Sequence, residues 1–346
     1  HALKIYQNLL QKNPNDFITY NNMGNVYRNL NKYDDAIKYY KKSLEINKKY
    51  VLSFYNLGEL FSKIGKFKES IKMYEEIKFI NPNYKDIFSK ILHAKQKICD
   101  WNDYDELKIK IIEDIKIHKS INPFILLSLY DDPKLQKICS ENYINQKFKN
   151  IILKTKKTKN FNKKPKIAYF SSDFKNHPIL HLSLDVFKNH NKSKFDTYAF
   201  SLSKNKEDDW NYEIKNYFNT FFDVFDKSDE EIIELCKKIE IHIAVDLNGF
   251  TEKGRQGIFL NRAAPIQINF LGYPGTMGSD LYDYIIADET IIPENQKKNY
   301  SEKIIYHPNC YQPNINKRKI SKKEFKKSDF KIPEDSFIFC NFNSSY

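Results

Sequence analysis

The sequence predicts a helical-repeat superhelix followed by an α/β domain built on a mostly parallel sheet, and three observations carry that prediction. Residues 1–98 resemble themselves at a period of 34. From Lys166 onward, short β-rich apolar runs alternate with helical patterns. Polar or glycine-bearing loops follow several of those runs, where open α/β sheets gather their ligands.

The repeat is found by sliding the chain along itself. Pro14 and Pro82 stand 68 residues apart, twice 34, each preceded by an asparagine, with Asn47-Lys48 at the midpoint. At a shift of 34, Gly24 meets Gly58, Tyr27 meets Phe61, Tyr33 meets Phe67, Ala36 meets Ser70 and Tyr40 meets Tyr74. Small residues at helix contacts with aromatics between them match the tetratricopeptide pattern: Gly24 and Ala36 allow close approach, and the rings fill the gap. Residues 1–12 read as the second helix of an earlier repeat, so the array is expected to continue upstream. Residues 84–98 read as its closing helix. Asn22 and Asn56 recur on the first helix of successive repeats. Their amides can grip an extended peptide backbone in the groove, or they can bridge neighbouring helices; both readings stay open.

Residues 99–165 read as a helical join. Cys99-Asp100-Trp101-Asn102-Asp103-Tyr104 is a turn-rich aromatic patch, helical periodicity covers 106–118, and Pro123 and Pro133 bracket an apolar run at 124–130. Another helix is expected over 134–148, followed by a basic, low-complexity tether at 154–164.

In residues 166–346, strands are expected at 166–170, 197–201, 221–225, 242–247, 266–271 and 284–287, and helices at 179–189, 208–218, 228–239 and 255–261. A further strand-like run lies at 337–342. This alternation implies a parallel sheet with helices on its faces, whose ligand loops are 171–177, 248–254 and 272–278. Neither a GxGxxG fingerprint nor a GxxxxGKT loop is present. Gly272, Gly275 and Gly278 are three of the chain's nine glycines. Their loop is either a tight turn or a place where backbone N–H groups approach a phosphate.

The net charge of +13 comes almost wholly from lysines interspersed with Glu and Asp along helices. No nucleic-acid signature accompanies them, so the charge reads as solvated helix faces rather than a nucleic-acid surface. The five cysteines are odd in number and widely spaced, which fits a reducing compartment better than a disulfide framework or zinc site. No apolar run approaches the ~18 residues that span a bilayer, and a cytoplasmic, membrane-free protein is expected. Both ends look cut from a larger protein.

His177 and His181 have an i, i+4 spacing, but no HExxH glutamate lies between them and Pro178 interrupts the pair, which argues against a metal site. His242 opens a strand, where a buried, hydrogen-bonded imidazole is the default. His177 lies in a strand-to-helix loop, where a ring near neutral pKa can face a cleft.

Together these residues resemble the protein O-GlcNAc transferases and their SPINDLY-type relatives, glycosyltransferase family 41. Asn22-Met23-Gly24-Asn25-Val26-Tyr27 is similar to the family's repeat consensus with its asparagine ladder, and Cys99-Asp100-Trp101 with Asp103-Tyr104-Asp105 to the segment where the repeats end. Ser171-Ser172-Asp173-Phe174 with Asn176-His177-Pro178 and His181 is similar to its first catalytic motif. Asp246-Leu247-Asn248-Gly249-Phe250-Thr251 is similar to a second, and Ala264-Pro265-Ile266-Gln267 with Leu271-Gly272-Tyr273-Pro274-Gly275-Thr276 to a third. Tyr300-Ser301-Glu302-Lys303 and Cys340-Asn341-Phe342-Asn343 continue the likeness, while Asp246 and Leu247 follow bacterial-type relatives.

The resemblance implies a tetratricopeptide superhelix at 1–98 and, at 166–346, the Rossmann-like, acceptor-side lobe of a GT-B glycosyltransferase. The second lobe, with most of the UDP site, is expected beyond these residues, and this chain alone is expected to be inactive. The implied reaction is inverting transfer of N-acetylglucosamine from UDP-GlcNAc to Ser or Thr of protein acceptors, with no metal or other cofactor required. It implies a catalytic role for His242 and, for His177, that of general base or active-site organiser. Gly272, Tyr273, Pro274, Gly275 and Thr276 would lie by the sugar and diphosphate. Asp173, His181, Asp246 and Asn248 would support the site, and Asn22 and Asn56 would hold the acceptor backbone. Two alternatives are a GDP-fucose donor, as in plant-type SPINDLY proteins, and a repeat scaffold carrying an inactive lobe. Oligomeric state is not legible.

Overall fold

The computed structural model describes residues 2–148, 164–204, 208–315 and 321–340. The expected tether at 154–164 lies outside these residues except for Lys164, as do residues 341–343. The chain divides into two compact units, one up to Tyr130 and one from Asp131 on. The expected join therefore contributes helices to both.

The first unit is helical: α1 (Ala2–Lys12), α2 (Phe17–Asn29), α3 (Tyr33–Ile46), α4 (Val51–Lys63), α5 (Phe67–Ile80), α6 (Ile87–Gln96), α7 (Tyr104–Lys116) and α8 (Pro123–Leu127). The 34-residue period is visible in the packing. A Cβ on Gly24 would lie 2.5 Å from the Tyr40 ring, and one on Gly58 2.4 Å from the Tyr74 ring, so both rings rest directly on the preceding helix. Each phenol then donates to the residue after that glycine: Tyr40 Oη to Asn25 Oδ1 at 2.8 Å, and Tyr74 Oη to Glu59 Oε1 at 2.6 Å. Ala36, Tyr40, Leu57, Leu60 and Phe61 form one buried cluster across α3 and α4. Asp16 opens α2, its carboxylate accepting from the Ile18 and Thr19 N–H groups; the hydrogen bond from the Thr19 hydroxyl is the main reason its pKa is lowered.

The second unit opens with α9 (Pro133–Lys147), capped by Asp132. Its sheet has seven strands: β1 (Lys166–Ser171), β2 (Asp196–Ser201), β3 (Thr220–Asp223), β4 (Ile243–Asp246), β5 (Ile266–Asn269), β6 (Tyr284–Ala287) and β7 (Lys303–Tyr306). Every pairing is parallel, in the order β3-β2-β1-β4-β5-β6-β7. The connecting helices are α10 (Pro178–Lys188), α11 (Asp209–Lys215), α12 (Asp229–Lys238) and α13 (Gln256–Leu260). Covered on both faces, β1 is buried at every position after its first, as its unbroken apolar run requires. Chain order runs outward from β1 in one direction to β3 and from β4 in the other. The reversal point, where open α/β sheets bind ligands, thus lies between β1 and β4.

Two expectations change. β7 was not foreseen: it is a four-residue strand of alternating half-exposure, too short to show a period of its own. The run at 337–342 was expected as a strand, yet Phe337 to Cys340 have no strand structure and Phe337 and Phe339 are 82% and 92% exposed. Aromatic alternation makes a strand only where an edge supplies ladder hydrogen bonds, and here the two rings merely contact each other. Among the described residues no helix is long and apolar enough to cross a membrane, and all five cysteines are free.

Candidate active site

The parallel sheet brings the loops after β1, β4 and β5 side by side at its carboxyl edge. Asn248, buried after β4, joins the first two. Its Oδ1 accepts from Ser172 N–H at 2.8 Å, and its Nδ2 donates to Ser172 Oγ, Asp173 Oδ2 and Thr251 Oγ1 at 2.9, 3.0 and 3.2 Å. Asp246 fixes the turn: Oδ1 accepts from the N–H groups of Asn248 and Gly249 at 2.9 and 3.1 Å, and Oδ2 accepts from Tyr282 Oη at 2.6 Å. Burial raises the Asp246 pKa, and these donors oppose the rise.

His177 is the N-cap of α10, with extended backbone and Pro178 as the first helical residue. Its Nδ1 accepts from Ile179 N–H at 3.3 Å, so the neutral ring carries its proton on Nε2. That nitrogen lies 3.9 Å from Asp173 Oδ1, outside hydrogen-bond range, and 38% of the side chain is exposed. Burial, first, and then the nearby Lys175, Lys253 and His181 lower the His177 pKa, against the pull of Asp173. At neutral pH the ring is uncharged and presents an N–H donor. His181 lies one turn on, its Nε2 2.8 Å from Asn176 Oδ1 and its ring edge-on to Trp210 at 4.3 Å.

The loop holding Gly272, Tyr273, Pro274, Gly275 and Thr276 packs inward. A Cβ on Gly272 would fall 2.1 Å from the Leu247 carbonyl oxygen, so only glycine allows the β5 loop to lie against the β4 loop. Tyr273 is buried edge-on against Phe250, which meets Tyr143 of α9 in the same way. The carbonyls of Tyr273 and Gly275 accept from Asn269 Nδ2 at 3.0 and 3.2 Å. Buried Glu302, just before β7, accepts from Thr276 Oγ1 at 2.7 Å and from Met277 N–H at 2.6 Å. The loop's buried side chains are therefore structural, and Gly272 and Pro274 are its half-exposed positions.

His242 does not join this cluster. It precedes β4 at the opposite edge of the sheet, roughly 13 Å from Asp246 at the strand's other end, at ~3.3 Å per residue. Its Nδ1 accepts from Lys166 N–H at 3.0 Å, the buried, bonded imidazole that its strand position predicted. In the first unit, Asn56 Nδ2 donates to Asn21 Oδ1 of the preceding repeat at 2.9 Å, which is the bridging contact, while Asn22 is half-buried. Among the described residues no group of three His, Cys, Asp or Glu could hold a metal ion.

Sequence reasoning passed over Tyr282, Asn269, Lys175 and Lys253, and quoted Ser172 and Glu302 only within longer motifs. Glu302 lies within the quoted Tyr300-Ser301-Glu302-Lys303 run, a usable signal. The lysines resembled the many solvated ones elsewhere.

Comparison with known proteins places this arrangement. The tetratricopeptide repeat profile matches residues 17–50, and a second such profile residues 52–84. A protein named "Probable UDP-N-acetylglucosamine--peptide N-acetylglucosaminyltransferase SEC" from Arabidopsis thaliana is 30% identical over 279 residues, 74% of this chain and 28% of that protein. A UDP-N-acetylglucosamine–peptide N-acetylglucosaminyltransferase from Caenorhabditis elegans is 30% identical over 231 residues, 62% of this chain and 20% of its own length. The chain thus spans a quarter or so of the curated relatives it matches. A solved mutant O-GlcNAc transferase from Thermobaculum terrenum shares the fold, with a TM-score of 0.59 at 20% identity over 90% of this chain and 54% of that one. The Glycosyl transferase family 41 profile matches residues 98–326, most of the chain, and with tetratricopeptide repeats ahead of a parallel α/β lobe this protein belongs to that family.

Proposed function

We propose that the protein containing this chain transfers N-acetylglucosamine from UDP-GlcNAc, with inversion, to Ser or Thr hydroxyls of protein acceptors. The observation that carries this reading is the convergence of Asp173, His177 and Asn248 at the β1/β4 reversal point, beside the inward-packed glycine loop. An attacking hydroxyl must be held in line, and the charge on the leaving diphosphate must be met.

His177 acts as an organiser rather than a proton acceptor. Its Nδ1 lone pair is committed to Ile179 N–H, so the ring donates through Nε2 to an oxygen of sugar or acceptor. Asp173 and Asn248 hold the two loops at the spacing this donor needs, and the glycine loop offers backbone to the donor substrate. His242, at the far edge, takes no part in the chemistry. Asn22, with Asn56, holds the acceptor backbone in the repeat groove.

The test is transfer by the full-length protein from radiolabelled UDP-GlcNAc and GDP-fucose to a protein acceptor. Label from UDP-GlcNAc alone is expected. Label from GDP-fucose alone would replace the donor, and label from neither would leave a binding scaffold.

A further inference from the structure

We infer that the repeat groove closes on a side-chain pocket between α6 and α8, which takes a bulky apolar residue of a polypeptide with an acidic residue beside it. That the polypeptide is the sugar acceptor rests on the transfer reading above; the pocket's preference does not.

The period of 34 leads to the place. Asn22 and Asn56 recur on the first helices of successive repeats, and the same shift lands on Lys90 of α6. The register holds in space. Asn56 Nδ2 donates to Asn21 Oδ1 on the preceding first helix, and Lys90 Nζ reaches Glu59 Oε1 of α4 at 2.8 Å. An amide both donates to and accepts from a peptide backbone, whereas an ammonium only donates. The third rung therefore cannot read backbone as the first two do. Lys90, His93 and Lys97 fall at i, i+3 and i+7, one stripe along α6 and its C-cap.

That stripe ends in a cavity. His93, Gln96 and Lys97 line it from one side and Phe124, Ile125 and Leu127 of α8 from the other. Its volume is about 470 Å³, room for a large side chain and the backbone that carries it. All these residues belong to the first unit. Ile125 is buried and Leu127 half-buried, but Phe124 is 44% exposed, so an apolar wall stands open to water. An apolar side chain seated against that wall removes both surfaces from water. The opposite wall favours an anion. Lys97 carries its charge, and none of the described residues that line the cavity is acidic. Burial, first, and then Lys97 and Lys90 push the His93 pKa down to about 4, so at neutral pH its ring is an uncharged hydrogen-bonding group. An apolar wall facing an ammonium fits an apolar residue next to Asp or Glu and disfavours one next to Lys or Arg.

The test is peptide binding to the full-length protein without any sugar donor, read by fluorescence anisotropy. Labelled peptides share one Ser-containing sequence and carry Phe-Asp, Phe-Lys or Ala-Asp as an adjacent pair, placed in turn at each position. At one placement Phe-Asp is expected to bind about tenfold tighter than either Phe-Lys or Ala-Asp. Phe124→Asp, at an exposed position, is expected to remove the advantage of Phe over Ala. Lys97→Glu is expected to reverse the charge preference, so that Phe-Lys binds tighter than Phe-Asp, an exchange that misfolding does not produce. Equal binding of the three peptides at every placement would overturn the pocket, as would a Phe advantage that survives Phe124→Asp. Peptides bound in the expected pattern that receive no sugar from UDP-GlcNAc or GDP-fucose would sink the transfer reading and leave the pocket standing.

Discussion

At the scale of single residues, His177 caps α10 with one ring nitrogen and leaves the other, half-exposed, 3.9 Å from Asp173 Oδ1. The two nitrogens separate by substitution. His177→Ala is expected to cost about 1 kcal/mol of stability through the lost cap, and to lower turnover of the full-length protein by ~100-fold or more through the lost hydrogen-bond donor. His177→Asn supplies a stronger cap and so restores the unfolding midpoint without restoring turnover. Recovery of turnover by Asn would show that only helix capping matters. The lowered pKa sets the pH dependence: the neutral ring persists below the usual ~6.5, so turnover holds into mildly acid solution. It falls once protonation charges the ring and displaces the Ile179 N–H. For His242 the strand position predicted a buried, bonded ring, and that is where the fold puts it.

At the scale of elements, the repeat helices were legible because their code is local and periodic. Gly24 and Gly58 mark where Tyr40 and Tyr74 press on the preceding helix. Gly58→Ala gains about 1 kcal/mol of helix propensity, but overpacking against a fully buried ring costs about 1–3 kcal/mol. The Tyr74 ring has no room to yield, since its hydroxyl is held by Glu59, itself paired with Lys90 at 2.8 Å. A lower urea midpoint is expected for Gly58→Ala; an unchanged or higher one would refute the close approach. The strands β1 to β6 were legible from apolar runs bounded by turns. The edge strand β7 and the run after Phe337 were not, because a short strand's existence depends on a partner edge elsewhere in the chain.

At the scale of the whole molecule, tetratricopeptide repeats and a family 41 lobe share one chain, and the proposed part of the repeat groove has its own test. Asn22→Ala combined with Asn56→Ala is expected to raise KM for protein acceptors about tenfold, with acceptor-free hydrolysis of the donor unchanged. Equal loss of both would mean that the amides serve only the repeat packing, as the Asn56–Asn21 bond allows.

What the sequence determined by itself is whatever depends on neighbours along the chain. The 34-residue register, the alternation of strands and helices, and the loops that follow strands all arise from short-range sterics and hydrophobic period. Tertiary structure alone decided what those loops hold. Ser172 reaches Asn248 across 76 residues, and Thr276 reaches Glu302 across 26. The cause is strand order: parallel pairing of β1 with β4 brings distant loops to one edge and leaves His242 at the other, and no local pattern records that pairing.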